Sequence, residues 1–182
     1  IEDSAESLGS TYKGQYTGTF GLFGIFSFNG NKTVTCGGGG AIATNNEKLA
    51  KKAKHLTTTA KVSHPYEYAH DAIAFNYRLP NLNAALACAQ LEQLDLFIEN
   101  KRDIASKYAD YFQGKNVQFV TELPEARSNY WLNTILMPDF NARNEFLEIT
   151  NAEGVMTRPA WKLLNTLEMY KDCQTDALEK VQ

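Results

Sequence analysis

Phe26-Ser27-Phe28-Asn29-Gly30-Asn31-Lys32 is the stretch whose reading decides the fold, and it runs into Thr33-Val34-Thr35-Cys36 and an uninterrupted glycine run, Gly37 to Gly40. Residues 20–28 are aromatic and glycine-punctuated, a pattern that predicts a buried strand. Upstream, Ile1-Glu2-Asp3 reads as the end of another strand carrying a carboxylate. A lysine between an apolar strand and a glycine loop, with an acid at a strand end, is the set a pyridoxal phosphate enzyme needs. The lysine amine forms a Schiff base with the aldehyde, and the acid keeps the pyridine nitrogen protonated so that the ring acts as an electron sink. The same local residues also suit a solvated Gly/Asn turn, and both readings stand at this level.

A phosphate-binding P-loop is excluded by spacing. That motif needs four residues between its glycines and a lysine directly after the second. Between Gly24 and Gly30 there are five, and Asn31 separates Gly30 from Lys32.

The chain has 182 residues, 43% of them hydrophobic, enough for one domain or slightly more with a true core. A formal net charge of -3 makes no electrostatic case for nucleic acid. Apolar runs are all shorter than a bilayer span. Cys36, Cys88 and Cys173 form no CxxC pair or disulfide framework, so a reducing cytoplasm is the expected compartment. His55, His64 and His70 lack zinc-ligand spacing, and no metal site is expected. The cluster Lys48, Lys51, Lys52 and Lys54 reads as a solvated helix face. No initiator Met or signal peptide opens the chain, and it stops at Glu179-Lys180-Val181-Gln182 within a helical pattern. The expectation is an internal piece of a longer protein.

Gly37–Gly40 predict a turn and residues 41–44 a short return strand. Asn45 or Asn46 caps a helix over about residues 47–56. Residues 57–75 have no period and read as a long, functional loop. Pro80-Asn81 opens a single long helix to about residue 112, with Leu82, Leu86, Ala89, Leu94, Ile98, Ala105, Tyr108 and Phe112 on one face. Gly114 ends it. Residues 117–120, 130–137 and 155–157 read as strands, with a helix over about 142–152 stopped by Gly154. The expected organisation is residues 1–80 as the end of a large domain, 81–112 as a connector helix, and 113–182 as an incomplete small α+β lobe.

These segments are similar to the sugar aminotransferases of the DegT/DnrJ/EryC1/StrS family. The likeness is carried by residues 1–9, Gly18-Thr19-Phe20-Gly21, residues 26–32 with the glycine run, and Asn76-Tyr77-Arg78-Leu79-Pro80-Asn81 with Ala84-Ala85. Gln90-Leu91 and Leu94-Asp95 extend it, and it covers essentially the whole chain. Residues 55–61 and 76–83 most resemble the branch that aminates UDP-linked keto-deoxy amino sugars for UDP-N-acetylbacillosamine and legionaminic acid. The resemblance implies an α/β fold, the aspartate aminotransferase-like type I architecture, with the end of a large mostly parallel-sheet domain followed by most of a small α+β domain.

Position by position, the resemblance makes Lys32 the Schiff-base lysine and Asp3 the partner of the pyridine nitrogen. It sets Glu6 near the ring hydroxyl, Ser27 on the cofactor phosphate, and Asn76 on the phosphate of a neighbouring subunit's cofactor, which implies a homodimer with shared sites. Arg158 and Trp161 would line the sugar-nucleotide site. Bland alternatives accompany several of these: a small buried-strand residue for Ser27, a turn cap for Asn76, a rim salt bridge for Arg158 and a packing role for Trp161. Tyr77 and Arg78 read as structural. The chain departs from the family at Ala74, Cys36, Ala87 and Asn165, and the last puts a substrate role there in doubt. The implied reaction takes an amino group from glutamate, leaves it on the cofactor, and delivers it to a nucleotide-linked 4-keto-6-deoxy sugar. A non-catalytic relative would be signalled by loss of Lys32, which is present.

Overall fold

The computed structural model describes residues 1–178, so the helical pattern expected at residues 179–182 lies outside the described residues. The chain forms two compact units, Ile1–Leu136 and a second beginning at Met137.

In the first unit, β1 (Glu2–Asp3) pairs in parallel with β4 (Gly24–Ser27), Asp3 opposite Ile25, and β4 pairs antiparallel with β5 (Gly40–Ala43), Ser27 opposite Gly40. Asp3 and Ser27 therefore stand at the carboxyl ends of the two parallel strands, the edge where open α/β sheets place their ligands. The predicted strand over 20–28 is shorter than expected. Phe20 and Leu22 are exposed, and the segment before β4 is folded back on the Glu2 carboxylate, which accepts the Gly18, Phe20 and Gly21 N–H groups at 2.6, 2.9 and 3.3 Å. Those bonds compete with a strand ladder and win. A hairpin, β2 (Thr11–Tyr12) with β3 (Gln15–Tyr16), carries β7 (Ala126–Arg127) on its other edge. The third sheet is β6 (Gln118–Phe119) with β8 (Ile135–Leu136).

Helix α1 (Glu47–Thr57) starts at Asn46, whose side chain accepts the Leu49 N–H at 3.1 Å, satisfying one of the orphan donors of its first turn. The following loop closes on itself through bridges Thr58–Asn76 and Lys61–His70. The expected single helix is two, α2 (Asn81–Leu91) and α3 (Leu94–Phe112), broken at Glu92-Gln93. Neither glycine nor proline marks the break. At the junction Gln93 N–H bonds the Gln90 carbonyl three residues back, and Gln93 takes φ -110, ψ 8. The two helices serve one core from different directions: Ala87 joins Phe28, Val34 and Cys36, while Leu94 and Phe97 pack against the same cluster. The face expected for α2 is also corrected. Leu82 is 86% exposed and Ala87 is the buried residue, whereas Ile98 of α3 is only 2% exposed, as its spacing predicts. Gly9, at φ +79, lets α3 approach: a Cβ there would lie 2.2 Å from Ile98 Cδ1.

The alternating run 130–137 keeps only β8 as strand. Ser128 Oγ accepts the Tyr130 N–H at 3.0 Å and Asn129 Oδ1 the Trp131 N–H at 2.9 Å, and Tyr130 adopts φ +44. Side chains have taken the backbone donors that a ladder would use.

The second unit contains α4 (Phe140–Ala152), capped by Asp139, which accepts the Ala142 N–H at 2.8 Å. Gly154, at φ +79, ends it. The strand expected at 155–157 does not form. Val155 N–H returns to the Thr150 carbonyl at 2.8 Å and Thr157 Oγ1 meets Thr150 Oγ1 at 2.6 Å, so the segment closes the helix end instead of joining a sheet. Short 3-10 turns follow at Leu164–Thr166 and Glu168–Tyr170. No helix among the described residues is long and apolar enough to cross a membrane.

Candidate active site

The loop that carries Lys32 leaves β4 at Ser27 and is anchored at both flanks. Phe28 donates its N–H to the Gly39 carbonyl at 2.9 Å, and its own carbonyl accepts the Cys36 N–H at 3.1 Å. Phe28, Val34 and Cys36 are buried in the core. Cys36, the departure just before the glycines, fits there as a small apolar residue with its Sγ toward the Gly38 carbonyl at 2.9 Å. Gly39, at φ +103, is needed for close approach, since a Cβ there would come within 2.6 Å of Leu79 Cδ1. Between these anchors a tight turn forms. Ser27 Oγ accepts the Asn29 N–H at 3.3 Å, and Lys32 N–H donates to the Asn29 carbonyl at 3.0 Å. Lys32 thus projects from a fixed platform.

Its side chain is only 13% exposed. The ammonium donates to Glu6 Oε1 at 3.0 Å and lies 4.0 Å from the centroid of the Trp131 ring. A lysine in a solvated turn would extend its charge into water; this one is turned inward against an acid and an aromatic face. Glu6 in turn lines a cleft of ≈ 280 Å³ together with Asp3, Ala5 and Ser7. Asp3 Oδ1 accepts the Ala5 N–H at 3.1 Å, which orders the chain from the β1 end toward Glu6. The structure therefore joins Asp3, Glu6 and Lys32 along one edge, with Ser27 at the end of the neighbouring strand. A larger hollow of ≈ 1030 Å³ along β5 is lined by none of these four.

The other expected residues belong to other segments of the chain. Asn76 is at the base of the 57–75 loop, where its Oδ1 accepts from Arg78 Nη1 at 2.8 Å while Arg78 Nη2 donates to the Thr58 carbonyl at 2.9 Å. Arg158 belongs to the second unit and donates from Nη1 to Asn151 Oδ1 at 2.9 Å and the Thr157 carbonyl at 2.8 Å. Trp161 is in the same unit, with its ring largely exposed.

Four residues that matter here were not singled out by sequence reasoning. Trp131 covers Lys32, and its Nε1–H donates to the Asn31 carbonyl at 2.6 Å. Asn129, 3% exposed, donates from Nδ2 to the Glu6 and Leu8 carbonyls, each at 3.0 Å. Arg102 and Glu122 form a two-pronged pair at 2.8 and 3.0 Å, and both grip Ser128: Glu122 Oε2 accepts its N–H and Arg102 donates to its carbonyl, each at 2.7 Å. Arg102 holds the Glu122 carboxyl below the usual carboxylate range, with the Ser128 N–H adding to the effect against partial burial. The signals available were an Arg and a Glu on separate elements and an Asn-Tyr-Trp run, none of which has a diagnostic spacing.

An amine, two carboxylates and a hydroxyl gathered at the carboxyl edge of a parallel strand pair fit pyridoxal phosphate: a covalent attachment point, a partner for a ring nitrogen and a phosphate donor. Beside them, Thr33 Oγ1 is buried without a hydrogen-bond partner among the described residues.

Over residues 1–181 the chain matches the family model described as the DegT/DnrJ/EryC1/StrS aminotransferase family. It is 40% identical over 172 residues to a GDP-perosamine synthase of Escherichia coli O157:H7, covering 94% of this chain and 47% of that protein. It is 33% identical over 176 residues to a UDP-4-amino-4,6-dideoxy-N-acetyl-beta-L-altrosamine transaminase of Campylobacter jejuni, covering 94% and 46%. Among solved structures it superposes with TM-score 0.86 and 26% identity on a Streptococcus pneumoniae protein described as a sugar aminotransferase, Spr1654, in its PLP-form, covering 96% of this chain and 46% of that one. The chain spans about half the length of the curated relatives it matches. The mixed α/β fold is that of the type I pyridoxal phosphate-dependent transferases, and the chain belongs to the DegT/DnrJ/EryC1/StrS aminotransferase family.

Proposed function

We propose that this chain is the lysine-bearing part of a pyridoxal phosphate-dependent aminotransferase that moves an amino group from glutamate onto a nucleotide-linked 4-keto-6-deoxy sugar for surface glycan synthesis in the cytoplasm. The observation that carries the reading is the inward Lys32 amine, held between Glu6 and Trp131 on a core-anchored turn beside Asp3. When bound, pyridoxal phosphate supplies an aldehyde and an electron-withdrawing ring. Lys32 is its attachment point and, once displaced, the base and acid that moves a proton at the substrate carbon. Asp3 keeps the ring nitrogen protonated, Glu6 sits near the ring hydroxyl, and Ser27 donates to the phosphate. Arg158 and Trp161 contact the sugar nucleotide.

Asn76 serves the phosphate of a second copy, so the enzyme works as a homodimer with shared sites. The exposed apolar side chains Phe75, Tyr77, Leu82 and Leu86, close in sequence to Asn76, support an association surface. In the complete enzyme residues 1–80 end a large domain, 81–112 connect and 113–182 belong to a small one, a division by family likeness that cuts across the compact unit Ile1–Leu136. UDP is the carrier by the likeness of residues 55–61 and 76–83. A GDP carrier is the second reading, favoured by the 40% identity to a GDP-perosamine synthase.

The test uses the complete enzyme with pyridoxal phosphate and glutamate, supplying UDP- and GDP-linked 4-keto-6-deoxy sugars in parallel and detecting amino sugar by mass spectrometry. Borohydride reduction and peptide mapping locate the cofactor. Attachment to Lys32 with amination of one sugar is expected; attachment to Lys48 or another lysine, or no amination of either sugar, overturns the reading.

A further inference from the structure

We infer that Trp131 is a positioning residue for the Lys32 amine, and that the buried amide of Asn129 sets it in place. This rests on the assignment of Lys32 as the attachment point. A lysine ammonium is a point charge on a flexible four-carbon stem, so its direction must be imposed by its surroundings. Two groups impose it here: Glu6 Oε1 at 3.0 Å and the Trp131 ring at 4.0 Å to the centroid. An aromatic face attracts the cation through the ring quadrupole without accepting a proton from it. The indole therefore orients the protonated amine and, being no base, takes no proton from it.

Trp131 is itself tied down through both side chain and backbone. Its Nε1–H donates to the carbonyl of Asn31, the residue before Lys32, and its backbone N–H donates to Asn129 Oδ1 at 2.9 Å. The same Asn129 donates from Nδ2 to the Glu6 and Leu8 carbonyls, and its own N–H bonds Ser10 Oγ at 2.9 Å. One buried amide thus ties together the two backbone segments that present the lysine's two partners. The platform, the acid and the aromatic face move as one assembly. Without the indole, the stem gains directions that do not lead to the cofactor aldehyde, and every step that uses the amine slows while the phosphate and sugar contacts persist.

The test compares wild type, Trp131→Leu and Trp131→Phe in the complete enzyme. Apo-protein is mixed with pyridoxal phosphate, quenched with borohydride at intervals, and the label on Lys32 is counted by mass spectrometry. Trp131→Leu should slow both capture and kcat by about tenfold or more, within the range that misplacement of a reacting group costs, with KM for both substrates changed less than about twofold. Trp131→Phe, which keeps an aromatic face, should stay within about threefold of wild type. If Trp131→Leu loses its cooperative melting transition, Trp131→Met, closer in volume, carries the same readouts. Capture at Lys32 with an unchanged rate in the leucine or methionine variant overturns this inference alone. Capture at a different lysine in wild type overturns the proposed function and this inference together.

Discussion

Glu122→Ala tests the clamp that holds the 128–131 segment. The Glu122 carboxylate accepts from both Arg102 terminal nitrogens, at 2.8 and 3.0 Å, and from Ser128 N–H at 2.7 Å. Truncation removes a charge-assisted pair and leaves a part-buried N–H unpartnered. Arg102 keeps the Ser128 carbonyl, the neighbourhood of the Tyr130 ring, 5.6 Å away, and the field of Glu99. Hydrogen bonds to charged groups contribute about 1.5–3 kcal/mol, and an unsatisfied donor costs about 1–3 kcal/mol. Because both partners' side chains are 27% exposed, solvent screening moderates the sum, and we expect about 2–3 kcal/mol of lost stability near neutral pH. The carboxyl is held below its ordinary range by Arg102. Its contribution is therefore fully present above the unfolded-state value, about 4.3, and disappears as pH falls through the lower folded value. Urea denaturation of wild type and variant at pH 7 and at successively lower pH, followed by tryptophan fluorescence, measures the gap. A difference under about 0.5 kcal/mol at pH 7 would place this pair with inert surface bridges. A difference that does not shrink on acidification would show that the carboxylate charge is not its source.

Lys32→Ala should abolish both the borohydride-stable label and turnover while the melting temperature stays near that of wild type, because no other group replaces the amine; residual turnover would remove Lys32 from the chemistry. Asp3→Asn should leave pyridoxal phosphate bound but lower turnover by orders of magnitude, since loss of the charge no longer favours a protonated ring nitrogen, and near-normal rates in steady-state assays would refute that role. Glu2 is held below the usual carboxylate range, first by the Gly18 N–H and then by those of Phe20 and Gly21. Protection of these three amides, taken relative to the intrinsic exchange rate at each pH, should therefore be high at neutral pH, fall as pH drops through the lowered Glu2 value, and be low throughout in Glu2→Ala; equal protection in wild type and variant would show that other contacts hold the loop.

Local chemistry was legible wherever neighbouring residues are sufficient to determine it. Asn46 caps α1 because a side-chain acceptor meets a donor three residues on, Gly154 ends α4 in the left-handed region, and the Ser27–Lys32 turn closes through bonds within six residues. The family, and with it the strand-end acid and the lysine, was legible for the same reason: its signatures are contiguous. Besides the strand expected at 155–157, three elements departed from the periodic pattern because side-chain and core contacts outcompeted it. Gly18, Phe20 and Gly21 gave their amides to Glu2, Tyr130 and Trp131 gave theirs to the Ser128 and Asn129 side chains rather than to a ladder, and the helix over 81–112 broke so that Ala87 and Phe97 could reach one core.

The sequence by itself determined which groups the site contains, since an amine, two carboxylates and a hydroxyl are covalent facts of residues 3, 6, 27 and 32. Only the tertiary structure decided what surrounds the amine. Trp131 and Asn31 are 100 positions apart, and their contact exists because the buried Asn129 reaches back to Glu6 and Leu8, at separations of 123 and 121. Periodicity and propensity act over a few residues and carry no information at that range. The direction in which Lys32 points is set by burial and by the need to satisfy polar groups once the core has closed.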